Sequence, residues 1–186
     1  MPAISDTAYP RFQIDLTSSQ SLAIFIPTED ELSFAKRKFS GTGGVITCLL
    51  MLKCFQRLGY FPNLMEIPYP VIERVCQSIG VSIPDDQELE RHGGSAIRQR
   101  QRITILKFLK VKPFSVGAAS LIKQAIEREV VIKDDLVDLI NIGIEEAVRC
   151  SYELPGFSTL LEMAKNVRAV WSENCFSNRN WSALFI

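Results

Sequence analysis

Eight cations fall between Arg91 and Lys123: Arg91, Arg98, Arg100, Arg102, Lys107, Lys110, Lys112 and Lys123. No acid occurs between Glu90 and Glu127. The next stretch, Glu127 to Ala147, reverses the sign, with seven acids against Arg128 and Lys133. A formal net charge of zero therefore hides a segregated charge. Guanidinium and ammonium groups gathered on one surface attract a polyanion such as duplex DNA. A second cationic cluster, Lys36-Arg37-Lys38, ends a predicted helix, where positive charge is also favoured by the helix dipole.

Other residue types bear on other chemistry. His92 is the only histidine, and it stands beside Gly93-Gly94 in a predicted loop. Without a second histidine or a Cys-x-x-Cys pair, no zinc site is expected, nor any other metal or cofactor. The five cysteines, Cys48, Cys54, Cys76, Cys150 and Cys175, are odd in number, and four lie in apolar helical patterns. They read as reduced, small hydrophobes. Gly41-Thr42-Gly43-Gly44 lacks the Gly-Lys-Ser/Thr ending of a nucleotide-binding loop. A DNA phosphate at the N-terminus of the following helix is the better reading. Asp134, Asp135 and Asp138 are spaced as a solvated helix start. No catalytic constellation emerges.

The elements that must carry these residues read as nearly all helix. Leu22 to Ile26 is ambiguous between a short strand and a packed helix. Thr28-Glu29-Asp30-Glu31 is a capping box that starts a short helix. A helix over about Gly44 to Leu58 is apolar on most sides and must be buried. Only Lys53, Gln56 and Arg57 break its pattern, and Gly59 suits its C-terminal cap. Pro68 and Pro70 open a third helix. Pro84 opens a short acidic one, running through Glu90. A basic helix starts near Ser95 and stops by Pro113. Its projection puts Ile97, Ile105, Phe108 and Leu109 on one face and Arg100, Lys107 and Lys110 on the opposite face. A helix follows over Ser115 to Glu129, and another opens at Asp134-Asp135. The last is capped by Ser158 or Thr159, with Glu162 closing a capping box.

With 186 residues and 47% hydrophobic content, the chain can build a sizeable core in one domain or two small lobes. No apolar run is long enough to span a bilayer, and Met1 to Pro10 lacks a signal-peptide layout. A cytoplasmic location is expected.

Two blocks resemble the N-terminal region of transposases of the Tn-three family. The first, Leu52-Lys53-Cys54-Phe55-Gln56-Arg57-Leu58-Gly59-Tyr60-Phe61, is similar to the family's Leu-Lys-x-Phe-Gln-Arg-Leu-Gly-Tyr-Phe. The second joins Asp138-Leu139-Ile140-Asn141 to Glu145-Glu146 and to Glu153-Leu154-Pro155-Gly156-Phe157-Ser158-Thr159-Leu160. Between them, Arg98, Arg100, Ile105, Leu109 and Val111 resemble the family's basic helix, and Tyr9-Pro10-Arg11-Phe12 fits as well. The resemblance covers residues 8 to 176. Where family members carry an Arg-Leu-Gly-like segment, this chain reads Gly43-Gly44-Val45 and lacks that arginine. The resemblance implies an all-helical region with helix-turn-helix-like elements that binds the terminal inverted repeats of a mobile element. Catalysis in that family belongs to a downstream Asp-Asp-Glu domain, so the chain is expected to be no enzyme by itself.

The expectation is an all-α, multi-helix bundle of two packed lobes. An N-terminal arm spans 1–27, a first lobe 28–92, a second lobe with the basic helix 93–176, and a tail outside the resemblance 177–186. The expected partner is double-stranded DNA of a transposon end. Phosphate contacts are assigned to Lys36, Arg37, Lys38, Arg57, Lys107 and Lys110, with Lys53 on the same surface. Base contacts are assigned to Arg98, Arg100 and Arg102, and Gln56 suits adenine. The competing expectation is a helical fragment that pairs with full-length transposase or with a second copy of itself.

Overall fold

Helix boundaries in this chain follow from its caps and its glycines. The computed structural model describes the backbone of residues 1–12, 19–92 and 94–182, and their side chains except at 19, 20, 92, 95 and 176–182. Among the described residues the fold is all-helical, with one isolated parallel bridge between Lys112 and Tyr152 and no strand. The chain forms two compact units. Pro10–Val111 make one, and Met1–Tyr9 together with Lys112–Ile186 make the other.

The first unit contains α1 (Ser19–Ala23), α2 (Glu29–Lys38), α3 (Thr42–Leu58), α4 (Tyr69–Ser78), α5 (Asp86–His92) and α6 (Ser95–Leu109). α1 settles the ambiguous run: Leu22 and Ala23 close a short helix, and Phe25 is buried beyond it. α2 starts on the expected capping box. The Glu31 N–H donates to Thr28 Oγ1 at 3.3 Å, and the Thr28 N–H donates to Glu31 Oε2 at 2.8 Å. α3 is buried nearly all round, from Ile46 through Phe55, because α2, α4, α5 and α6 all pack on it. It ends at Gly59, whose φ of 73° is open to glycine at no steric cost.

α6 docks differently from its apolar projection. Ile105 is buried, but Ile97 is 43% and Phe108 37% exposed. The inward face is instead Gln101, Ile105 and Leu106. Gln101 can lie in the core because its Nε2 donates to Thr47 Oγ1 at 2.9 Å and to the Gly44 carbonyl at 3.2 Å. A projection that treats every glutamine as outward misplaces the face. α6 stops at Leu109, before Pro113. Lys110 adopts a left-handed φ of 57°, and the Val111 N–H donates back to the Leu106 carbonyl at 2.9 Å.

These contacts put the basic helix in the first unit. The expected boundary at Gly93-Gly94 is therefore replaced by one between Val111 and Lys112. The physical reason is Ile105, which sits in the core built around α3. Gly93 itself and the His92 side chain lie outside the described residues.

The second unit contains α7 (Val116–Glu129), α8 (Leu136–Arg149) and α9 (Phe157–Ser182). Ser115 Oγ accepts from the Ala118 N–H, and Asp135 Oδ1 accepts from the Val137 N–H, so both helices are capped by their own leading residues. α9 begins earlier than expected. The Leu160 N–H donates to the Gly156 carbonyl, so Ser158 and Thr159 already lie in the first turn and do not cap it. Glu162 pairs with Lys165 at 3.0 Å instead of closing a box with Thr159. α8 approaches its neighbours closely at Gly143, where a Cβ would stand 3.1 Å from Leu160 Cδ2 and 3.2 Å from Ile122 Cγ2.

Residues 1–9 are not an arm. Tyr9 is buried, its hydroxyl donates to the Pro155 carbonyl at 2.9 Å, and its ring meets Phe157 edge-on at 5.6 Å. The Ala8 N–H donates to Asn141 Oδ1 at 2.8 Å. The expected 1–27 segment thus divides, with its first nine residues in the second unit and α1 in the first. α9 runs on through Ser182, across the start of the 177–186 stretch, and residues 183–186 lie outside the described residues.

Two predictions arise from this packing. Burial pushes the Cys48 and Cys54 thiols up to about 12, and it raises Cys76 as well. A thiol reagent at mildly alkaline pH should therefore modify only Cys150 and Cys175 in the folded chain, and all five after unfolding. Mass-spectrometric mapping that finds Cys48 or Cys54 labelled without denaturant would contradict the α3 packing.

The second prediction concerns Glu146. Hydrogen bonds from Arg149, at 2.8 and 2.6 Å, hold its carboxyl below the usual range; burial opposes this and a bond from the Cys150 thiol assists it. A depressed carboxyl contributes stability above its unfolded pKa, and that stability is lost as pH falls through the folded value. Glu146→Gln should be less stable than the parent at neutral pH, and the gap should close in acid. Urea midpoints at neutral pH and well below pH ~4 check this.

Candidate nucleic-acid interface

α2 and α6 lie side by side on α3, and their outward residues make the site. Arg100, Thr104, Lys107 and Phe108 follow one another on α6 at spacings of four, three and one, which keeps them on one flank. Lys38 comes from the last turn of α2. Together with Phe34 these residues line a cavity of about 470 Å³. No carboxylate among the described residues lines it. Lys38, Arg100 and Lys107 are exposed, and none of them stands in an ion pair among the described residues.

The floor is aromatic. Phe34 is buried, and Phe108 stacks on it with ring centroids 4.1 Å apart and planes 18° from parallel. This pair ties α2 to α6 and fixes how far Lys38 stands from the α6 cations. Thr104 Oγ1 donates to the Arg100 carbonyl at 2.7 Å, which leaves the hydroxyl free only to accept. Three like charges round one cavity repel one another, and a bound anion relieves that repulsion. The chemistry of the arrangement is therefore anion binding beside an apolar ring.

The other expected site residues separate. Lys36 lines a different cavity, of about 350 Å³, with Ser40, Gly41 and Thr42 at the start of α3. Gly41 there has a φ of 75° and supplies no side-chain cap. Arg37 and Arg57 are exposed at the ends of α2 and α3. Lys110 is exposed beyond the last turn of α6.

Three assignments are displaced by internal bonds. Lys53 is buried, with Nζ 3.2 Å from Glu31 Oε2. Gln56 Nε2 donates to Glu31 Oε1 at 2.7 Å. Arg98 donates to the Pro62 carbonyl at 2.9 Å, pinning the loop after α3. Arg102 is half-buried. A solitary lysine in the middle of an apolar helix was the available signal that Lys53 is matched internally. For Phe34 and Thr104, which the sequence did not mark, no local signal existed.

Charge also divides between the units. Residues 10–111 hold 13 Lys and Arg against 10 Asp and Glu, a formal +3, and the other unit holds 8 against 11, a formal −3. Among the described residues no three His, Cys, Asp or Glu side chains gather as a metal-holding group, and no helix is long and apolar enough to cross a membrane.

A family model described as a domain of unknown function (DUF4158) matches residues 1–167. The chain belongs to the DUF4158 family. The match takes in all of the first unit of this DUF4158 chain, with every residue of the cationic cavity, and most of the second, ending within α9. No curated protein and no solved structure matches the chain.

Proposed function

We propose that this DUF4158 chain binds duplex DNA through the α2–α6 face, as the end-recognition part of a transposase of the Tn-three kind, and that it carries no strand-transfer activity by itself. The observation that carries the reading is the convergence of Lys38, Arg100 and Lys107 round one acid-free cavity. Residues from two helices, far apart in sequence, supply the same charge to the same place. Lys38, Arg100 and Lys107 all suit phosphates here, Arg100 through its planar fork in place of the guanine contact expected of it. The resemblance of the Leu52–Phe61 and Asp138–Leu160 blocks supplies the mobile-element context.

Fluorescence anisotropy with a labelled transposon-end duplex and a scrambled duplex tests this, at low and near-physiological salt. Tighter binding to the end sequence at both salts is the expected result. Equal, weak binding that vanishes with salt would leave only a generic basic face and would count against end recognition.

The opposite formal charges of the two units favour a second reading, in which the negative unit of one copy meets the α2–α6 face of another, or of full-length transposase. Size analysis across protein concentration distinguishes it, since a DNA-binding monomer stays monomeric.

A further inference from the structure

The DNA reading leaves one part of the cavity unexplained, namely the ring at its floor. Phe34 is only 4% exposed and covers one face of Phe108 from the core side. Phe108 nevertheless keeps 37% of its surface, and both rings line the cavity with Lys38, Arg100 and Lys107. An intact duplex offers such a ring nothing to stack on, because its base faces are already stacked on one another. It presents phosphates and base edges instead. An unpaired nucleotide presents a flat π-face and two flanking phosphates. Proteins that hold unpaired strands combine cationic walls with aromatic platforms in this way. This open cleft of about 470 Å³ also has room for one base.

We propose that this cavity takes an unpaired DNA nucleotide, its base stacked on the outer face of Phe108 and its phosphates held by Lys38, Arg100 and Lys107. The inference rests on the reading of the α2–α6 face as a DNA surface and specifies what that face selects. An end or junction that exposes a base binds in preference to an uninterrupted duplex. Lys38, on α2, and Arg100 and Lys107, on α6, then contact phosphates from the two sides of the stacked base.

The test uses the full chain and probes of one sequence: a blunt duplex, the same duplex with a short 3′ or 5′ overhang, and the single strand. One overhang polarity should bind about tenfold tighter than the blunt duplex, the size expected for one stacked base. Phe108→Leu should bring that ratio to about one, and Phe108→Trp should preserve it. In the Trp variant the overhang should also quench the new indole emission, a signal independent of how the Leu variant folds. Duplex binding with a ratio of one in the parent, or a ratio unchanged in Phe108→Leu, would overturn the stacking inference alone. Failure to bind any probe would overturn the DNA reading with it.

Discussion

Replacing Lys38, Arg100 and Lys107 together by alanine should lower the affinity for a transposon-end duplex by on the order of 10²–10³ at ~0.1 M salt. Counterion release sets this size. Each phosphate neutralised adds about 0.9 to the slope of log affinity against log salt, so three lost contacts reduce that slope by nearly three. The slope is the more telling quantity, since a misfolded variant loses affinity without a proportionate change in it. All three side chains are exposed and make no ion pair among the described residues, so their removal costs the fold little. Titrations at several salt concentrations, with parent and variant compared by circular dichroism, check both points. A variant that binds with the parent's slope would place the DNA elsewhere.

Lys53→Met should destabilise the first unit by roughly 3 kcal/mol, the low end for breaking a buried ion pair. Lys53 and Glu31 are both buried, and removing the ammonium leaves a carboxylate with no opposite charge. The loss stays at the low end because Gln56 and the Thr28 N–H still donate to Glu31. Adding Glu31→Gln should recover most of the stability, since glutamine at this position keeps the capping box without the charge. Urea unfolding of the two single variants and the double measures the coupling. The double variant should also bind the duplex as the parent does, because Lys53 is matched inside the unit. A double variant that folds normally but loses DNA would return Lys53 to the interface. Additive single effects would mean that the pair contributes nothing to the fold.

Much of the architecture was legible locally. The Thr28–Glu31 box, the all-round apolar pattern from Ile46 to Phe55, the cap at Gly59 and the leading Ser115 and Asp135 are written within a few residues of where they act. Such features depend on backbone donors and acceptors one turn away, so the sequence alone determines them. The sign and segregation of charge are equally local, and they mark α6 independently of any contact.

What the sequence determined by itself is therefore an all-helical chain with its cations gathered on the 91–123 stretch and on the end of the 29–38 helix. Tertiary structure decided which of those cations face outward together. Gln101 entered the core by finding Thr47 and Gly44, which turned α6 and brought Phe108 up against Phe34. Glu31 drew Lys53 inward and engaged the amide of Gln56, and the Pro62 carbonyl drew in Arg98. The unit boundary moved from Gly93-Gly94 to Val111 for the same reason, since Ile105 is buried in the core around α3. Each of these choices rests on a polar partner or an apolar neighbour many residues away. Helical periodicity records which residues share a face, but not which face finds a partner.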